Sequence, residues 1–101
     1  MKYLGYGSAT ILVGDAAAAA VLHYAAILAQ TGGADVVEVP TCDDDGSAAS
    51  ASVVLGLGIP VLARNAPDDL MEDDDQDFVA ELTGRVAIAL RDVPNGPRFR
   101  G

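Results

Sequence analysis

The segment TCDDDGS, Thr41 to Ser47, sets the chain's only cysteine beside three consecutive aspartates and a glycine. Residues of these types do three things: carboxylates hold divalent cations, a thiolate attacks electrophiles, and Asp with Gly closes turns. As a calcium loop, Thr41, Asp43, Asp45 and Gly46 fall at positions 1, 3, 5 and 6 of an EF-hand, with Thr where the first Asp belongs. The bidentate Glu that such a loop needs at its twelfth position is replaced by Ser52, and the flanking segments read as strands. What survives is a divalent-cation or small-ligand site made from the aspartates alone. As a thiol site, Cys42 has three carboxylates nearby, which disfavour the thiolate. An enzyme would require the fold to bring His23 to Cys42 as its base. One Cys and one His without paired spacing make no structural zinc set, so no metal ligand is assigned. The turn reading needs nothing further, because Asp accepts local backbone hydrogen bonds and Gly46 adopts positive φ between two strand-like runs.

A second acidic run, MEDDDQD from Met71 to Asp77, contains Asp73, Asp74 and Asp75. At a helix start these charges favour the macrodipole. Joined to Asp43, Asp44 and Asp45, they form a negative surface suited to a basic protein partner. His23 has Ala19, Ala20, Ala26 and Ile27 at three- and four-residue steps, the setting of a boundary or surface histidine. The glycine pairs Gly5/Gly7 and Gly56/Gly58 are too short for a phosphate loop, and Gly14 stands alone after Val13, so the dinucleotide fingerprint is missing. With no nucleophile beside a base and no cofactor signature, the sequence favours a non-catalytic protein without a cofactor.

Composition narrows the partners. The 101 residues hold fifteen acids, twelve of them Asp, against one Lys and five Arg, for a net charge of −9. Nucleic-acid binding needs a basic face that this chain does not supply. Anionic membranes are repelled in the same way, whereas basic proteins, cations or a high-salt cytoplasm suit such a surface. A single cysteine requires no oxidising compartment. No long apolar run follows Lys2 as in a leader, and the apolar stretch from Ala16 to Leu28 is broken by His23 and too short to span a bilayer. A cytoplasmic location is expected.

The elements that must position these residues follow from period and punctuation. Gly5, Gly7 and Ser8 interrupt an apolar start, giving a hairpin or one bent strand, with Ala9 to Val13 the stronger strand. Asp15 is expected to cap a helix from Ala16 to Gln30 whose stripe is Ala18, Val21, Leu22, Ala25 and Leu28, stopped at Gly32 or Gly33. Asp35 to Thr41 reads as a strand with Val37 and Val39 on one face and Glu38 on the other. From Ala51 to Val61 the period is two, broken by Gly56, Gly58 and Pro60. A second helix should run from Asp74 or Asp75 to Arg91 on Phe78, Leu82, Val86, Ala89 and Leu90.

These elements predict an α/β (α+β) two-layer sandwich: a mixed or antiparallel sheet of three to five strands with two helices on one face. The strand, helix and strand between Ala9 and Pro40 fit a parallel crossover. One compact domain should cover residues 1–92, with 93–101, including Phe99 between two arginines, as a flexible tail. The small, polar alternate positions from Ser50 to Pro60 leave a sheet face on which a second subunit can pack. The expected function is therefore a small, acidic, non-catalytic interaction protein that forms a homodimer.

Overall fold

The computed structural model describes residues 1–42, 47–66 and 76–91. Strands β1 (Lys2–Tyr6) and β2 (Ala9–Val13) pair antiparallel from Lys2↔Val13 to Tyr6↔Ala9, around a turn in which Gly7 takes φ 62°. Helix α1 (Asp15–Thr31) follows directly. Its N-cap is Gly14, with no side-chain cap, and Asp15 is the first helical residue rather than the cap expected of it. There the Asp15 carboxylate lies 3.2 Å from the Met1 amino nitrogen and 3.8 Å from Lys2 Nζ, and it complements the helix dipole from inside the first turn. Gly32, at φ 75°, ends the helix by returning its N–H to the Leu28 carbonyl.

The chain then runs into β3 (Ala34–Cys42), β4 (Ala48–Gly56) and β5 (Val61–Asn65), and closes with α2 (Gln76–Arg91). The long alternating run is split into β4 and β5, with Gly58 at φ 84° between them. Two antiparallel sheets result, one ordered β2-β1-β5 and the other a β3–β4 ribbon, and with the two helices they make an α+β sandwich. The expected parallel crossover does not form, since β2 and β3 belong to different sheets. β3 instead takes β4, its nearest neighbour in sequence, where loop closure costs least.

The inner faces of both sheets close on α1. Leu4, Val13, Val37, Val39, Val53 and Leu55 meet Ala18, Val21, Tyr24 and Leu28, and Leu82 of α2 completes the cluster. The α1 stripe is rotated from the expected one: Tyr24 and Ile27 are buried, while Leu22 and Ala25 are half-buried. Tyr24 wins the inner position because its ring fills the core while its hydroxyl still reaches a polar partner. In α2, Phe78, Val86 and Ala89 pack around Leu82 as expected, but Leu90 is 52 % exposed.

The ribbon is anchored at one residue pair. Opposed residues of an antiparallel pair alternate between exchanging hydrogen bonds and turning their polar groups outward. At Val36↔Val54 the backbone groups turn outward on both edges. On the β4 edge the Tyr6 hydroxyl donates to the Val54 carbonyl at 2.9 Å and accepts from the Val54 N–H at 3.1 Å. On the β3 edge the Val36 N–H goes to Asp35 Oδ1 and its carbonyl accepts from Arg85. Pro40, which has no N–H, sits in the same outward-turned phase, where no ladder bond is lost. Replacing Tyr6 by Phe removes both bonds to Val54 while keeping the ring. Urea unfolding should show a loss of about 1–2 kcal/mol, and an unchanged midpoint would show that the hydroxyl does not anchor the ribbon.

Candidate functional site

Where β3 begins, three elements converge. The reversal at Gly32 brings Asp35 back beside Tyr24, two turns before the end of α1, and α2 lays Arg85 across both. Tyr24 Oη donates to Asp35 Oδ2 at 2.5 Å, and Arg85 Nη1 donates to the same oxygen at 2.9 Å. The same Nη1 reaches the Val36 carbonyl at 3.2 Å, while Nη2 bonds Glu81 one turn earlier at 2.5 Å. Around this group lies an open cleft of about 560 Å³ whose walls include Leu28, Thr31, Val36 and Ile88.

The electrostatics fix protonation states rather than poise them. Burial pushes the Tyr24 phenol up to about 12, and the adjacent Asp35 carboxylate adds to the effect. For Asp35, burial acts to raise the pKa but is outweighed by the Tyr24 hydroxyl, the Val36 N–H and Arg85, so the carboxyl lies below its ordinary value. Burial likewise opposes the charge on Arg85, and Glu81 and Asp35 overcome it. Around neutral pH the group therefore comprises a phenol, a carboxylate and a guanidinium, none close to losing or gaining a proton. A general acid or base works best with a pKa near the operating pH, and no member of this group has one.

The cleft opens beside an apolar surface. Along β3 the outward residues are Ala34, Val36, Glu38, Pro40 and Cys42, and opposite them on β4 lie Gly56, Val54, Ser52, Ser50 and Ala48. Val36 and Val54 face each other across the strands and are 56 % and 40 % exposed, and Ile88 across the cleft from Val36 is 53 % exposed. Glu38 is the one charged residue among those ten positions, and it accepts from Ser50 Oγ at 3.2 Å and from Ser52 Oγ at 2.5 Å. A second groove, of about 520 Å³ between α1 and the start of β5, is lined by Leu22, Ala25, Ile59, Val61 and other residues without charge.

Of the residues singled out from sequence, His23 and Cys42 fall outside this cleft. Asp43, Asp44, Asp45, Asp73, Asp74 and Asp75 lie outside the described residues. The strands flanking the DDDG segment do pair with each other, ending at Cys42↔Ala48, as a hairpin requires. His23 is exposed on α1, half-buried Cys42 ends β3, and no described hydrogen bond joins them. Among the described residues no three His, Cys, Asp or Glu side chains gather as a ligand set, and no helix is long and apolar enough to cross a membrane. Tyr24, Asp35, Arg85 and the valine pair were not singled out. One signal was available: VVEV and SVVL each double a valine within an alternating strand, which forces one of the two to face outward.

No family model, curated protein or solved structure matches this chain.

Because the folded-state pKa of Asp35 is depressed, its contribution to stability is present above the unfolded-state value of about 4 and is lost as pH falls through the lower folded value. The stability gap between the wild type and Asp35→Asn should therefore be full at neutral pH and shrink below about pH 4. Thermal melts across that range measure it, and a gap that widens toward acid would contradict the assignment.

Proposed function

We propose that this chain is a small, non-catalytic interaction protein that works as a homodimer, with the outward face of the β3–β4 ribbon and the adjoining flank of α2 as its contact surface. The observation that carries the reading is the cross-strand pair Val36 and Val54, side by side and largely open to solvent, and continued across the cleft by Ile88. Single exposed apolar residues are ordinary, but a contiguous group rimmed by polar side chains marks a contact surface. The carboxylate within this face is already hydrogen-bonded to two serines, which limits the penalty of covering it.

Charge placement supports the same reading. Ten of the fifteen acids belong to residues 43–46, 67–75 and 92–101. The described residues hold the other five acids and four of the six bases, so they are nearly neutral and two copies can approach through them. The acidic composition of Asp43 to Asp45 and Asp73 to Asp75 suits a basic protein partner, and the lone cysteine fits a reducing cytoplasm. The non-catalytic reading draws on the cleft, where phenol, carboxylate and guanidinium satisfy one another away from any titration near neutral pH.

Light scattering at increasing protein concentration should show a mass rising to twice that of the chain. Val36→Lys combined with Val54→Thr, which removes the exposed apolar pair without setting like charges opposite each other, should hold the protein at monomer mass with circular dichroism reporting an intact fold. A wild type that stays monomeric at millimolar concentration would defeat the homodimer.

A further inference from the structure

We infer that the open edge of β5 receives an extended segment of another protein as a fourth strand of the β2-β1-β5 sheet, with an acidic residue of that segment set against Arg64. This surface differs from the β3–β4 ribbon face, and the inference goes beyond the reading proposed for that face.

The register fixes which backbone groups the edge offers. β2, one outer strand of this sheet, lies against β3, whereas β5 pairs only with β1. The Met1 carbonyl accepts from the Ala66 N–H at 3.2 Å, so Met1 and Ala66 face each other as a hydrogen-bonded pair. Alternation from there makes Tyr3↔Arg64 and Gly5↔Leu62 bonded pairs, and it turns the N–H and C=O of Val61 and Ala63 away from β1. Among the described residues no hydrogen bond from outside the strand pair reaches those groups.

The side chains of the edge divide between two faces. Val61 and Ala63 point inward and pack against the core, while Leu62 and Arg64 stand on the outer face. Beneath the start of the edge lies the second groove, of about 520 Å³, with Leu22, Ala25 and Ala29 of α1 on one wall and Ile59 and Val61 on the other. None of its lining residues is charged. A strand added beside β5 turns alternate side chains into this groove and sets the others beside Leu62 and Arg64. The edge and the groove together therefore suit an extended segment with an apolar residue at every second position.

Charge decides between occupants. Tyr3, Gly5, Thr10, Leu12, Leu62 and Arg64 make the outer face of the sheet, so its one charge is positive. The Arg64 guanidinium carbon lies 4.8 Å from the centroid of the Tyr3 ring, and the group has no carboxylate partner among the described residues. Stacked in this way, its planar fork keeps N–H groups for a carboxylate. A second copy of this chain fits poorly. Antiparallel self-pairing centred on Ala63 sets Arg64 opposite Leu62 of the copy and brings the two arginines to diagonal positions about 7–8 Å apart, with no carboxylate between them. A segment with Asp or Glu opposite Arg64 replaces that repulsion with a cross-strand ion pair. One carboxylate suffices, so a protein that is basic as a whole meets both this edge and the net charge of −9.

The probe is a random octapeptide library displayed on phage and selected against the full chain. The selected sequences should alternate apolar with polar residues and carry Asp or Glu at one polar position. A selected peptide, synthesised and added to saturation, should slow amide exchange at Val61 and Ala63 at least about tenfold, because those N–H groups become paired. Arg64→Glu should weaken this peptide about two- to fivefold, the range of an exposed ion pair. The same peptide with Lys in place of its acid should prefer Arg64→Glu to the wild type by a similar factor. Ala63→Pro removes an outward N–H without costing a bond to β1, and it should abolish binding while circular dichroism reports an intact fold.

Selection of no peptide, binding that leaves exchange at Ala63 unchanged, a folded Ala63→Pro chain that still binds, or an Arg64→Glu chain indifferent to charge reversal in the peptide would each overturn the inference. Exchange at Ala63 that slows as the chain alone is concentrated would assign the edge to a second copy and overturn it too. If Ala63→Pro does not fold, the exchange and charge-reversal measurements decide the matter.

Discussion

Val36 and Val54 turn four backbone polar groups away from the strand pair they belong to, and the rest of the molecule is arranged around where those groups find partners. A two-stranded ribbon is marginal by itself in water. Here its β4 edge is taken by a phenol from β1, and its β3 edge by its own Asp35 and a guanidinium from α2. Side chains thus do at both edges what a third and a fourth strand would do in a larger sheet. The same bonds tie the ribbon to the other sheet and to the second helix.

The core explains why such ties are needed. Among the described residues it is assembled from Val, Leu, Ala and Ile27 around a single buried Tyr, so no large aromatic cluster locks the layers there. Within the ribbon, Gly56 shows how tightly the two strands close where β3 begins: a Cβ there would lie 3.0 Å from the Gly33 carbonyl oxygen and 3.1 Å from the Cβ of its cross-strand partner Ala34. Close approach of small residues gains dispersion contacts only while the backbones remain in register. The directional bonds from Tyr6, Tyr24 and Arg85 supply that register, while aliphatic burial supplies most of the driving force.

Much of the fold was legible because it is written in short-range chemistry. The αL stop at Gly32, the break between β4 and β5 at Gly56 to Pro60, and the inward pair Val37 and Val39 each follow from a few adjacent residues. Strand partnership was less legible: β2 and β3 looked like a crossover because both flank a helix, yet pairing went to the local hairpin. The rotation of the α1 stripe and the exposure of Leu90 depend on what packs against each helix, which period alone does not specify. The cleft was least legible. Asp35 is eleven residues from Tyr24 and fifty from Arg85, and none of the three has an unusual neighbour in sequence. Acidic runs attract attention by density, whereas this group acts through tertiary placement.

Placement also changes what the net charge means. A charge of −9 spread evenly over so small a surface would oppose any self-contact, but most of the acids lie in segments 43–46 and 67–75. Among the described residues, Asp15 lies against Met1 and Lys2, Asp35 and Glu81 share Arg85, and Glu38 is held by two serines. Each of these carboxylates has a local partner, so the field they project is short-ranged and is screened within about 8–10 Å at ordinary salt. A partner reaching the β3–β4 face meets apolar side chains and one tethered carboxylate, not the average charge of the chain. The charge that the described residues project is therefore much smaller than the net charge of the whole sequence.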